Sequence, residues 1–209
     1  MCYNKEVSLF TFILILFVSY KFLKRGLYND IFLGIFILSY GFMQFIEAII
    51  WTGIDYNMFT LNKIGTTMAA LLLYLHPIAF LAGIYYDKYY KDIINQLLFK
   101  CFVAIAVIFL LIGVVRIYLN INKIRSIKGP HLEWIIPGNY DLIVILGIIF
   151  TTVYILPKNP TFALIIGLYY LIGAIVSFII TKTKYFGSYW CWLVAIFAIV
   201  LYVINPYLQ

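Results

Sequence analysis

Charged and turn-forming residues cut an otherwise apolar chain into seven long segments, at 6–24, 31–53, 64–86, 97–119, 139–157, 160–181 and 186–206. Each approaches the roughly 20 residues that a helix needs to cross a hydrocarbon layer about 30 Å thick. Seven membrane-spanning helices are predicted on that pattern. Lys21 and Lys100 fall near helix ends, where a four-carbon stem reaches the interface. The fifth segment has only sixteen uncharged residues, between Asp141 and Lys158, and Pro157 and Pro160 then mark a tight turn into the sixth.

The longest connector, "NINKIRSIKGPHLEWIIPG" at 120–138, has its own pattern. Ile121, Ile124 and Ile127 recur every three residues, interleaved with Lys123, Arg125 and Lys128. That spacing suits a basic amphipathic connector lying on a membrane surface. Gly129 and Pro130 break it, and "HLEWII" then turns back toward the interface. Asn139 is placed to cap the fifth helix, with Asp141 in its first turn near the positive end of the dipole. Asp141 is therefore read as a capping charge.

Composition turns these segments into a class. Of 209 residues, 65% are hydrophobic and 11% are charged, and the mean hydropathy is +1.02. Soluble domains carry about 25% charged residues, so this chain lacks the means to cover itself with a water-compatible surface. The expected fold is all-α, a polytopic membrane protein forming one transmembrane domain over 1–209 with no soluble domain. Lys5 alone precedes the first apolar run and no small-residue cleavage site follows it, so that run is read as a retained helix.

The net charge of +7 arises from fifteen basic and eight acidic residues. The basic residues sit in short connectors, where anchoring and anionic lipid head groups account for them, and no nucleic-acid partner is expected. Seven crossings put the chain ends on opposite sides. Side A, the N-terminal side, carries eight basic residues and side B seven, which does not decide orientation. All four tryptophans, Trp51, Trp134, Trp190 and Trp192, map to side A, as an aromatic belt or a Trp-lined vestibule.

The candidate chemistry lies in a few polar residues inside the apolar runs. Tyr40, Gln44, Glu47 and Trp51 follow helical spacing and share one face of the second segment. Ionisable groups within spans face protein or water, so this stripe is predicted to point into the bundle. His76 lies mid-segment in the third run, and Pro77 after it frees a backbone carbonyl one turn back. His131 and Glu133 in the connector belong to the same side A half as Glu47.

Three readings follow. Glu47 and His76 form a mutually satisfied pair that only specifies packing. Alternatively, with Gln44, Trp51, His131, Glu133 and Trp134, they line a pathway for protons or a small solute, or a sensor, since carboxyl and imidazole both exchange protons. In the third, Glu47, His76, His131 and Glu133 hold zinc for membrane-embedded hydrolysis, as a metal-dependent hydrolase. The pathway or sensor is preferred, with the structural or assembly role as alternative and the hydrolase as second alternative. No catalytic residue, metal site or cofactor is assigned.

No HExxH, Gly-rich phosphate loop, GxSxG or TVGYG is present. The seventh segment has no lysine, which excludes a retinal Schiff base there. Cys2 and Cys191 belong to side A, as a disulfide in an oxidising lumen or as two free thiols.

The stretches "MCYNKEVSLFTF", "SYGFMQFIEAIIW", "LHPIAF", "GPHLEW" and "GSYWCW" resemble a seven-transmembrane-helix family associated with large DNA viruses and microbial eukaryotes. The resemblance spans nearly the whole chain. It implies the seven-helix fold and no activity. It directs attention to Cys2, Gln44, Glu47, His76, Pro77, His131, Trp134, Ser188 and Cys191.

Overall fold

A computed structural model describes residues 4–94, 96–129, 132–136, 158–181 and 186–207. It is mostly helical: α1 (Lys5–Arg25), α2 (Asp30–Asp55), α3 (Phe59–Tyr86), the single turn α4 (Lys91–Ile94), α5 (Leu97–Leu119), α6 (Pro160–Thr181) and α7 (Phe186–Ile204). A two-stranded antiparallel hairpin, β1 (Arg125–Lys128) and β2 (Leu132–Ile135), follows α5. Four helices, α1, α2, α3 and α5, are long and apolar enough to cross a membrane. The predicted fifth segment, 139–157, lies outside the described residues.

Helix ends follow local rules. The Asn4 side chain accepts from the Val7 N–H and caps α1, and Gly26, at φ 64°, closes it in the left-handed conformation. Asn57, at φ 55°, turns the chain between α2 and α3 so tightly that α3 starts at Phe59, five residues before the pattern predicts. Pro77 does not end α3, which runs on to Tyr86.

α2 is the central helix, with 72% of its most apolar window buried against 22% for α5. It packs antiparallel on α3: a side chain at Gly53 would come within 2.5 Å of the Asn62 backbone nitrogen, and farther along the rings of Phe36 and Phe80 meet at 5.8 Å. α5 packs antiparallel on α3 through Gly113, where a Cβ would strike the Tyr74 ring at 2.3 Å. α1 and α7 run parallel, since Thr11 and Ala195 line one groove and Phe22 meets Tyr202 edge-on at 5.3 Å. Lys5 therefore marks end A and Arg25, with Asn205, end B. On either side of the undescribed stretch the chain stands at opposite ends, Ile136 beyond the end A hairpin and Lys158 against Asp92 at end B.

At end B a buried polar knot joins four helices. The Arg25 guanidinium donates twice to the fully buried Asp30 carboxylate, each bond 2.8 Å, and once to the Tyr202 carbonyl at 2.8 Å. That carbonyl belongs to the last turn of α7, whose C=O groups lack helical partners and carry the negative dipole end. Asn205 donates to Asp30 at 2.8 Å and to the Tyr28 carbonyl at 2.6 Å. Asp87, from the end of α3, accepts from the Phe32 N–H at 3.2 Å and so caps α2 from across the interface. Burial pushes the Asp87 carboxyl above its ordinary range, opposed by the N–H groups of Tyr89 and Phe32. Burial likewise raises the Tyr90 hydroxyl, keeping it a donor to Asn29 at 2.5 Å.

The connector departs from its sequence pattern. Its period of three gives way to a strand's period of two. Ser126 turns inward, Ile127 is 41% exposed, and Ile124 is buried.

Removing Arg25 strands the Asp30 carboxylate in the interior. Arg25→Ala is expected to destabilise the protein by about 3–5 kcal/mol. Arg25→Lys should recover little, because an ammonium lacks the fork that serves Asp30 and Tyr202 together. Thermal unfolding of purified protein in detergent measures both.

Candidate functional site: a polar seam capped by a hairpin

The seam between α2 and α3 gathers most of the polar residues singled out from sequence. Tyr40, Gln44, Glu47 and Trp51 are all buried on the core face of α2, and His76 is buried on α3. The His76 ring packs against Tyr40 at a tilt of 47°, ring centroids 4.1 Å apart. Among the described residues neither His76 ring nitrogen has a hydrogen-bond partner. The carbonyls of Leu72 and Leu73 lie beside the ring, the latter freed because Pro77 has no N–H to offer it, but neither meets it in hydrogen-bonding geometry.

The helical register separates Glu47 from His76. Tyr40 faces His76, and Gly53 faces Asn62. Glu47 therefore stands level with Met68 and Ala69, seven residues from His76, or about 10 Å along the helix. The two share a seam without pairing. Toward end B the seam closes on aromatic rings: Phe32 meets Phe80 at 4.9 Å and Phe162 at 6.3 Å.

Toward end A the hairpin covers the seam. The Asn62 amide grips the backbone of β1, donating to the Ser126 carbonyl at 2.9 Å and accepting from the Ser126 N–H at 2.9 Å. Asn62 thus takes the place of a neighbouring strand. Thr66 shares a 2.7 Å hydrogen bond with the Ser126 hydroxyl. Leu132 and Trp134, on the inner face of β2, pack with Met43, Ile46, Ile50, Trp51 and Ala69. The indole N–H groups of Trp51 and Trp134 have no acceptor among the described residues, and the Lys128 ammonium lies 5.7 Å from the centre of the Trp51 ring. The Lys128 ammonium thus makes a cation–π contact at end A.

Glu133 pairs in register with Ile127 on the outer face of the hairpin, so the structure does not bring it to the seam. His131 and Cys2 lie outside the described residues, as do the side chains of Ser188, Trp190, Cys191 and Trp192. Among the described residues no group of three His, Cys, Asp or Glu side chains is placed to hold a metal.

Asn62, Thr66 and Ser126 were not among the sequence candidates. The available signal is Asn62 and Thr66 four apart on one face of an apolar helix. Arg25, Asp30 and Asn205 at end B have no comparable signal, being ordinary charged or polar residues beside helix ends.

No protein-family model, curated protein or solved structure matches this chain.

Asn62→Leu removes both bonds to Ser126 and leaves a buried N–H and C=O unpaired. It is expected to cost about 2–3 kcal/mol. Hydrogen exchange should localise the damage, with faster exchange at Ser126 and unchanged protection in the middle of α2.

Proposed function

We propose that the chain crosses a bilayer seven times and that the α2–α3 seam is a site for protons or a small polar solute, reached from side A. One observation carries this reading: a buried histidine whose two ring nitrogens have no partner among the described residues, on the seam that holds Glu47. Burying such nitrogens costs roughly 1–3 kcal/mol. A purely structural polar core, like that formed by Asn62, Thr66 and Ser126, satisfies its groups internally. Imidazole and carboxyl about two helical turns apart lie beyond direct transfer, so a hydrogen-bonding solute or water between them carries the proton from one exchangeable group to the other. The aromatic floor of Phe32, Phe36, Phe80 and Phe162 stops the polar track short of side B. The resting conformation is then closed at both ends, by this floor and by the hairpin at side A, and passage requires both to part; without such motion the same seam serves as a sensor.

The assembly role is the second reading, favoured by the satisfied Asn62–Ser126–Thr66 set.

Two substitutions separate them. In liposomes, Glu47→Gln is expected to abolish flux, or a proton-dependent response, while thermal stability stays within about 1 kcal/mol of wild type. Loss of stability with no transport phenotype supports the assembly role. His76→Phe retains the ring against Tyr40 and removes only the unpartnered nitrogens. It should leave stability equal or higher and eliminate the same activity, whereas unchanged activity rules out a role for the imidazole.

A further inference from the structure

The hairpin also forms one wall of an open cleft of about 470 Å³ at end A, between β1 and the turn that joins α2 to α3. Arg125 and Lys128 line one wall, and Asn57 and Phe59 lie on the turn side. The Arg125 guanidinium makes no hydrogen bond or ion pair among the described residues. Lys128 pairs with Asp55 at 3.2 Å and lies over the Trp51 ring at 5.7 Å, and the solvent-exposed ion pair contributes little and gives way readily to a stronger anion. No side chain caps the first turn of α3, so its N–H groups add positive potential on the turn side.

Outside the lining, Lys63 reaches Asn122 beside the hairpin and reinforces the sign, while Asp55 beside Lys128 and Glu133 opposite Ile127 oppose it. The three basic groups outnumber the two acidic ones. The cleft is also apolar in part: Ile54 lies on its wall, and Phe59 and Ile127 line it while remaining exposed, at 64% and 41%. An anion-binding wall beside exposed apolar side chains, at the end of helices long and apolar enough to span a bilayer, matches an amphiphile with a negatively charged head.

We propose that this cleft binds the phosphodiester head group of an anionic phospholipid, with Arg125 and Lys128 on the phosphate and Phe59 and Ile127 against the glycerol and upper acyl carbons. Arg125 supplies the planar donor pair that fits phosphate oxygens, and Lys128 adds a point charge once released from Asp55. The cleft volume lies within the range of small-molecule sites. This site is separate from the α2–α3 seam and stands whether or not the seam conducts.

The test uses the full chain in nanodiscs of phosphatidylcholine, titrated with phosphatidylglycerol, with thermal stabilisation as the readout. Saturable stabilisation is expected. Arg125→Gln with Lys128→Gln should weaken the apparent affinity by about 25-fold, from ~1 kcal/mol per basic residue near the surface. The double variant should melt like wild type in phosphatidylcholine alone; if it does not, Arg125→Gln alone is read, with about a fivefold loss expected. Lys21→Gln with Lys24→Gln removes the same charge at end B and should leave the affinity unchanged. An equal loss there means diffuse electrostatics and overturns the site. Stabilisation by free glycerol phosphate at equal concentration overturns the lipid assignment in favour of a soluble phosphate, and absence of any phosphatidylglycerol effect overturns both.

Discussion

The structure depends on how closely α2 and α3 approach. Gly53 lets the Asn62 backbone come near enough to touch, and that contact fixes the register of both helices over their whole length. The register then decides which polar groups meet. It sets His76 against Tyr40, leaves Glu47 two turns away, and aims the Asn62 amide out of the helix pair toward the hairpin. A bulkier residue at 53 would disturb the floor, the seam and the cap together. In a buried seam little water is available to repair a misplaced donor or acceptor, so a register shift is costly at every polar position at once.

Both ends use one device by different means. At end A a neutral amide completes the backbone of a strand, and at end B a guanidinium and a carboxylate complete the termini of helices. Each joins elements distant in sequence, and each is buried. Between them the polar seam runs part of the way and stops at a cluster of phenylalanine rings. The α2–α3 seam is therefore polar on one side of His76 and aromatic on the other.

Much of this was legible in the sequence because helices in apolar surroundings announce themselves by length. The predicted segments at 97–119 and 160–181 coincide with α5 and α6, and those at 6–24, 31–53 and 186–206 fall within two residues of their helical turns. The helical spacing of Tyr40, Gln44, Glu47 and Trp51 also identified the buried face of α2. The partners of these residues were not legible. Whether Glu47 meets His76 depends on the offset between two helices, and that offset comes from a glycine and a three-residue turn whose geometry depends on Asn57. The connector misled for a different reason: Ile121, Ile124 and Ile127 mimic a helical stripe, but Ser126 is the inward residue because Asn62 captures its backbone. The end B knot was invisible because Arg25 and Asp30 read as ordinary flanking charges until Asn205, far along the chain, is placed beside them.

That long-range closure has a consequence for how the protein is made. Arg25 and Asp30 leave the ribosome almost together and can pair at once, yet the groups that complete their coordination, the Tyr202 carbonyl and the Asn205 amide, arrive some 175 residues later. At the usual pace of translation the interval is roughly ten to thirty seconds. During that time the flank of α1 that will receive α7 stays uncovered, with an incompletely satisfied charge at its end. The nascent bundle is laterally open along that flank, and the arrival of α7, parallel to α1, zips it shut.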